Sequence, residues 1–260
     1  MSWTGGTYGE RATCVLAPNA SPMTLDGTNT WVLREPGARR SIVVDPGPLD
    51  DGHLAAVAAV SGPVGVVLLT HGHADHSEGA RVFAERARCG VRALDPRFVY
   101  GDEGLGDGDV VVVDGLEVHV VGTPGHTSDS LSFLLPAERA VLTGDTVLGR
   151  GTTVVAHPDG ALGAYLGSLR RLRELAAARE VDVIWPGHGP VLDEALPVIE
   201  QYLTHRADRL EQVRAAVAGG VVEARAVVRT VYADVDEQLW PAAELSVRAQ
   251  LDYLHSTDSH

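Results

Sequence analysis

Three histidines and an aspartate lie within one short segment of the chain, at His71, His73, Asp75 and His76. They directly follow an apolar segment, residues 64–70, that is predicted to be a buried strand. Neutral imidazole and carboxylate bind zinc and similar divalent ions, and a turn after a strand lets such side chains converge on one point. The cluster therefore predicts a metal site.

Three later segments of predicted strand end in tight turns that carry one polar residue each. These residues are His126 after residues 116–121, Asp145 after residues 140–143 and His188 after residues 181–185. A polar group at the same end of successive strands is typical of a site built at a sheet edge. With the first cluster they make five histidines and two aspartates, enough to bind two metal ions and leave positions for water.

The elements that would position these residues are short apolar strands separated by amphipathic helices. Strands are predicted over residues 30–33, 42–45, 64–70, 110–113, 116–121, 131–135, 140–143 and 181–185. Helices are predicted over residues 54–60, 78–88 and 161–179. Because strands and helices interleave, the predicted fold class is α/β or α+β.

The character of the chain changes from about residue 205. Residues 206–217 are predicted to be helical, Gly219 and Gly220 interrupt the pattern, and two further helical stretches continue to residue 254. We therefore divide the chain into a catalytic domain, residues 1–204, and a small helical domain, residues 205–260. All seven candidate ligands lie in the first domain, so we expect the metal site to form without the second.

Composition narrows the partners and the compartment. The chain has 260 residues, long enough to bury about 70% of its unfolded surface. Its 21 Lys and Arg against 35 Asp and Glu give a net charge of −14, which repels nucleic-acid backbones. No apolar run approaches the roughly 20 residues of a membrane span. The N-terminus lacks the pattern of a secretory signal, and Cys14 and Cys89 are expected to be buried filler residues. We therefore expect a cytoplasmic protein without a membrane partner.

The order of these motifs resembles the metallo-β-lactamase superfamily over about residues 25–190. The motifs are Thr-His-Gly-His-Ala-Asp-His at 70–76, Gly-His-Thr at 125–127, Gly-Asp-Thr at 144–146 and Pro-Gly-His-Gly at 186–189. The resemblance implies an αββα sandwich and two metal sites. It also implies that His71, His73 and His126 hold one ion, that Asp75, His76 and His188 hold the other, and that Asp145 bridges both.

Two further segments resemble the lactamase-beta-2-like branch of that superfamily. They are residues 22–31 and the pair His205 and Arg206. Better-known members of the branch cut single-stranded RNA and carry a small C-terminal domain of winged-helix type. Here His260 follows soon after the last predicted helix, where a β-hairpin wing would be expected. We therefore expect a winged-helix-like domain that consists of helices only.

The candidate ligands predict a binuclear metal-dependent hydrolase. A hydroxide bridging the two ions and held by Asp145 would attack an ester-type bond, with Asp75 as the second catalytic carboxylate. The expected cofactors are two divalent ions, Zn²⁺ first, with Mn²⁺ or Fe²⁺ as alternatives. The substrate is left open between the phosphodiester of a short single-stranded RNA, which would make the protein endoribonuclease-like, and a small thioester or ester, which the acidic charge balance favours.

Two functions of other classes are alternatives. One is a non-catalytic binding module stabilised by metal, but structural zinc sites are commonly closed by cysteines, and no candidate ligand is a cysteine. The other is a mononuclear iron persulfide dioxygenase, which needs only two histidines and an aspartate. The complete second set of ligands argues against it. The sequence also leaves open whether the chain forms a homo-oligomer.

Two features beside the ligands have an expected role at the site. Asp45 follows the predicted strand 42–45 and could orient a ligand imidazole, although a simple turn-forming role before Pro46 is an equal alternative. Residues 17–28 are polar and rich in proline and glycine. We expect them to form a loop over the site, because such loops carry specificity.

Overall fold

Residues 2–258, which the computed structural model describes, contain eleven strands that form two mixed sheets. The strands are β1 (Gly6–Tyr8), β2 (Ala12–Leu16), β3 (Asn29–Leu33), β4 (Ser41–Val44), β5 (Val64–Leu68), β6 (Gly90–Arg92), β7 (Val110–Val113), β8 (Leu116–Gly122), β9 (Leu131–Leu135), β10 (Ala140–Gly144) and β11 (Val183–Pro186). The first sheet has the order β1-β2-β3-β4-β5-β6 and the second β11-β10-β9-β8-β7.

Each sheet has an antiparallel part and a parallel part. In the first sheet β4, β5 and β6 are parallel, and in the second β10 and β11 are parallel. Parallel neighbours need a crossover. The crossovers are α1 (Asp51–Ser61) between β4 and β5, α2 (Ala74–Ser77) with α3 (Ala80–Ala87) between β5 and β6, and α4 (Leu162–Ala177) between β10 and β11.

The two sheets pack face to face, with helices on both outer faces. Alternate residues of β4 show this arrangement, because Ile42 lies in the core between the sheets while Val43 packs with the helices α1 and α3. In β10, Leu142 lies in the same inner core, whereas Val141 packs with α4 and the C-terminal helices. The αββα sandwich predicted from the motifs is confirmed.

The C-terminal part is helical. It consists of α5 (Ala195–Ala218), α6 (Ala224–Val231) and α7 (Trp240–Asp258), and residues 205–258 contain no strand, in agreement with the expected helices-only domain. Their apolar residues, such as Val213 and Val247, join Leu169 of α4 in one buried cluster. Helix α5 runs without a break across residue 204, so the division proposed there stays a prediction.

All eight predicted strands are present, with ends that differ by a few residues. Three strands were not predicted, β1, β2 and β6, of which β1 and β6 have only three residues and therefore show no clear alternation. Helix α5 begins at Ala195, eleven residues before the predicted start at residue 206, and Pro197 lies in its first turn, where proline is tolerated. No helix among residues 2–258 is both long and apolar enough to cross a membrane.

Candidate metal centre

The seven predicted ligand residues lie together at one end of the two sheets. His71 and His73 follow β5, Asp75 and His76 lie in α2, and the remaining three follow strands of the second sheet. These are His126 after β8, Asp145 after β10 and His188 after β11. Their ligand atoms form three overlapping groups, each with all atoms within 4.8 Å of one another: His71, His73 and His126; His71, His76 and Asp145; and Asp75, His76 and His188.

The first cluster consists of three imidazoles. Nδ1 of His73 lies 3.0 Å from Nε2 of His71 and 3.1 Å from Nε2 of His126. Nδ1 of His126 lies 2.7 Å from the carbonyl oxygen of Val154, which can only accept a hydrogen bond. The proton of His126 is therefore on Nδ1, and the lone pair of Nε2 points toward the other imidazoles.

The second cluster consists of two imidazoles and a carboxylate. Nε2 of His188 lies 3.2 Å from Nε2 of His76 and 3.2 Å from Oδ2 of Asp75. Nδ1 of His188 donates to the carbonyl oxygen of Gly27, at 3.1 Å, so its Nε2 also offers a lone pair. Asp145 lies between the clusters, because its Oδ2 is 3.4 Å from Nε2 of His188 and 3.7 Å from Nε2 of His126.

This donor set fits divalent metal ions. Lone pairs that face one another at such distances repel unless a cation lies among them, and Oδ1 of Asp145 is buried without a hydrogen-bond partner in the described part of the chain. Burial lowers the pKa of His71 and of His126, which keeps both imidazoles in the neutral form that binds metal.

Without metal, protons can take the place of the cations in the second cluster. Burial opposes protonation of His76, but the carboxylates of Asp145 and Asp45 raise its pKa well above the ordinary value. Burial likewise opposes protonation of His188, whose pKa the Asp145 carboxylate raises to about 9. Metal binding at these residues would therefore release protons, as is general for histidine ligands.

Asp45 orients two of the imidazoles. Its Oδ2 accepts hydrogen bonds from Nδ1 of His76 at 2.8 Å and from Oγ1 of Thr70 at 2.6 Å. Since the hydroxyl proton of Thr70 is used in this bond, Oγ1 accepts from Nδ1 of His71, at 3.1 Å. Asp45 also has a left-handed φ of 51°, which is uncommon outside glycine. It is thus both a turn residue and a partner of the ligands.

We expect Asp45→Asn to lower the affinity for metal about 10- to 100-fold, the usual effect of losing such a partner. An asparagine amide would direct an N–H group at donors that now face a carboxylate. Titration of the metal-free protein with Zn²⁺ measures the change. Asp252→Asn on the exposed side of α7 is the matched control, and an unchanged affinity in a folded Asp45→Asn protein would contradict this role.

Gly187 allows the two clusters to approach one another. A Cβ atom at this position would lie 2.7 Å from Oδ1 of Asp145 and 2.8 Å from Cε1 of His76, closer than real Cβ contacts. Both contacts are with proposed metal ligands rather than with flexible surface side chains. The Pro-Gly-His-Gly motif therefore places His188 and also leaves the room that Asp145 and His76 need.

The C-terminal helices contact the loop that orients His126, residues 152–155. Arg206 of α5 donates to the carbonyl oxygen of Thr153, and Ser246 of α7 accepts from the backbone N–H of Val155, at 3.2 Å. The residue between them, Val154, is the one that accepts from His126. In the sequence, His205 and Arg206 indicate only a resemblance to the lactamase-beta-2-like branch. The contact of Arg206 with Thr153 was not predicted, because no local sequence pattern indicates a hydrogen bond between distant segments.

A cavity of about 280 Å³ adjoins the ligands. His126 and Asp145 form part of its wall, and much of the rest is apolar. The loop predicted to cover the site contributes Pro22, Met23 and Leu25 to this wall. The C-terminal helices and the segment before α7 contribute further residues of the wall.

Comparison with known proteins gives two family matches. The chain matches the family described as "Metallo-beta-lactamase superfamily" over residues 23–188, and the family described as "Beta-lactamase associated winged helix domain" over residues 224–258. The first match spans all seven candidate ligands. The second match lies within the helices α6 and α7 and the segment between them.

Three individual proteins illustrate the similarity. The chain is 33% identical over 242 residues to a beta-lactamase-like protein 2 homolog of Caenorhabditis elegans, covering 86% of this chain and 77% of that protein. It is 34% identical over 229 residues to an atrochrysone carboxyl ACP thioesterase of Aspergillus fumigatus, covering 84% and 68%. A solved beta-lactamase domain protein from Burkholderia ambifaria has the same fold, with a TM-score of 0.81, 23% identity and coverage of 98% and 88%.

Proposed function

Because the chain belongs to the metallo-beta-lactamase superfamily, in its lactamase-like branch, we propose that it is a binuclear metal-dependent hydrolase of a carboxylic thioester or ester. The observation that carries the proposal is the position of Asp145, which lies between two complete sets of ligand atoms and also in the wall of an apolar cavity.

The residues divide into two sets around Asp145. His71, His73 and His126 would hold one ion, and Asp75, His76 and His188 the other. Two divalent ions bound there supply positive charge that polarises a carbonyl group and makes water more acidic. Zn²⁺ suits the imidazole-rich donor set best, with Mn²⁺ or Fe²⁺ as alternatives.

The two carboxylates would have different tasks. Asp145 is the more enclosed, with a side chain 10% exposed, and would hold the two ligand sets together. Asp75 has a side chain 28% exposed. In the metal-free protein, burial opposes ionisation of Asp75, but the hydrogen bond from protonated His188 lowers the pKa of this carboxyl below the ordinary value. Asp75 is therefore ionised at neutral pH and can orient a water molecule and accept its proton.

Three observations support a carbonyl substrate over an RNA phosphodiester. A relative that is 34% identical is named a thioesterase. The chain has a net charge of −14. The two guanidinium groups at the cavity already have partners, since Arg150 pairs with Asp26 while Arg206 bonds Thr153 and lies over the ring of Tyr165. Phosphate groups would need cations without such partners.

We expect close to two divalent ions per chain, since seven ligand residues exceed what one tetrahedral site can use. Elemental analysis of protein reconstituted with excess Zn²⁺ or Mn²⁺ measures the number. The same samples are assayed side by side on a thioester, an ester and single-stranded RNA, with metal-dependent turnover of the thioester or ester expected. His119→Ala, at a histidine outside the clusters, is the control for His188→Ala.

Each contrary result identifies a different alternative. A stoichiometry that stays at one ion under excess metal contradicts the binuclear site and revives the mononuclear enzyme. Two ions without turnover of any substrate favour the metal-stabilised binding module. Turnover of RNA alone would overturn the thioester or ester assignment while leaving the metal centre intact.

A further inference from the structure

We infer that the cavity beside the candidate metal centre binds an aliphatic acyl chain of the substrate, and that the start of helix α7 limits the length of chain that fits. This inference rests on the proposed function, because the acyl carbonyl would lie at the metal ligands. It goes further by naming the substrate class and the residues that select it.

The composition of the wall fits an alkyl chain. Its apolar residues include Met23 and Leu25 from the covering loop and Leu148 from the segment after β10. Val235 and Leu239, which precede α7, are also part of the wall. Alkyl groups gain most from such a surface because burial of each methylene group removes apolar area from water. A polyanionic ligand would find no unpaired guanidinium group in this wall, because Arg150 pairs with Asp26 and Arg206 bonds Thr153.

Apart from His126 and Asp145, several polar side chains of the cavity wall already have partners within the protein, among them Arg150, which pairs with Asp26, and Ser246, which accepts from Val155. His126 and Asp145, both proposed to hold metal, lie in the same wall as the apolar residues. Arg206 is only 5% exposed and already bonds Thr153, so its guanidinium group is not available to bind the acyl chain of the substrate. A molecule with one polar carbonyl end and one apolar tail matches this distribution.

The first turns of helix α7 form part of the cavity wall. Its first residue, Trp240, is fixed by a hydrogen bond from Nε1 to the carbonyl oxygen of Val235, at 3.1 Å. Ala242 and Ala243 follow and line the cavity with methyl groups only. Because Ala243 is 9% exposed, a larger side chain at this position would extend into the cavity rather than into solvent.

The test compares acetyl, butyryl, hexanoyl and octanoyl thioesters of one common thiol. For the wild-type protein, kcat/KM should rise about fourfold per buried methylene, equivalent to roughly 0.8 kcal/mol, until the cavity is full. Ala243→Leu should lower kcat/KM for the octanoyl thioester about tenfold or more and leave the acetyl thioester nearly unchanged. Leu239→Ala should act in the opposite direction and move the preference toward longer chains.

A control variant separates these effects from general disturbance. Ala207→Leu adds the same leucine on the exposed side of α5 and should behave as the wild type. Calorimetric titration with octanoate provides a measurement that does not need turnover. Octanoate should bind the wild-type protein and the Ala207→Leu protein, and bind Ala243→Leu at least about tenfold more weakly.

The outcomes distinguish this inference from the proposed function. Equal kcat/KM for all chain lengths, unchanged by either cavity variant, would overturn the acyl site and leave the hydrolase proposal standing. No metal-dependent turnover of any thioester or ester would overturn the hydrolase proposal. In that case, binding of octanoate that Ala243→Leu weakens would still support the aliphatic site, and absence of binding would overturn it.

Discussion

Asp145→Asn is expected to lose one metal ion or to lower kcat about 100-fold or more, with little change in melting temperature once metal is supplied. Asp145 has one carboxylate oxygen within reach of both ligand sets, 3.7 Å from Nε2 of His126 and 3.4 Å from Nε2 of His188. Two divalent ions held by these neighbouring ligand sets would repel each other, and an anionic side chain close to both sets would reduce that repulsion. Asparagine keeps the shape and removes the charge.

Metal content, melting temperature and kcat, measured on the one variant, separate the two roles that Asp145 could have. A residue that only completes the turn after β10 would change stability and leave turnover per folded molecule normal. A bridging residue would change metal content or kcat and leave the fold intact. Full activity with two bound ions would therefore refute the bridging assignment.

The sequence was sufficient to predict which side chains meet. His71 follows β5, Asp145 follows β10 and His188 follows β11, and each residue comes directly after an apolar run that marks the strand. Since β10 and β11 are parallel neighbours, residues that follow both strands must lie at the same edge. Because these residues are histidines and aspartates, the sequence alone predicts a metal site there.

The sequence left the orientation of these side chains undecided. The interpretation of Asp45 as a turn residue or as a partner of a ligand stayed even, because both roles place an aspartate after a strand. Only the structure shows that Thr70 and His76 both donate to it. Strand ends can be predicted from local patterns, whereas hydrogen bonds between residues 25 or 31 positions apart cannot.

The contribution of the C-terminal helices was also beyond local patterns. Since all seven ligands precede His205, the sequence favoured a metal site that forms without these helices. In the structure, Arg206 and Ser246 bond residues 153 and 155 on either side of the carbonyl group that accepts from His126. The helices therefore contact the loop that orients His126, a candidate metal ligand, in addition to their proposed role in substrate binding.

Removal of residues 205–260 is accordingly expected to have a large effect. The deletion takes away Leu210, Val213 and Val247, which are buried in the same apolar cluster as Leu169 of α4. Burial of one such side chain contributes about 1.5 to 3 kcal/mol, so loss of these three removes about 4.5 to 9 kcal/mol, which is comparable with the roughly 5 to 15 kcal/mol stability of an ordinary domain. We expect the truncated chain to aggregate or unfold, which light scattering and circular dichroism measure.

A point variant tests the contact with the metal centre without removing the core. Ser246→Ala leaves the N–H of Val155 without its partner, at a cost of about 1 to 3 kcal/mol if water cannot replace it. The lost hydrogen bond belongs to the loop that orients His126. A metal ion bound by His71, His73 and His126 should therefore bind more weakly than the other ion. Ser256→Ala, at an exposed position of the same helix, should leave both affinities unchanged. Two results together would contradict these expectations: residues 1–204 fold alone with two ions bound, and Ser246→Ala binds both ions as the wild type does. The metal site would then form without the C-terminal helices, as the sequence predicts.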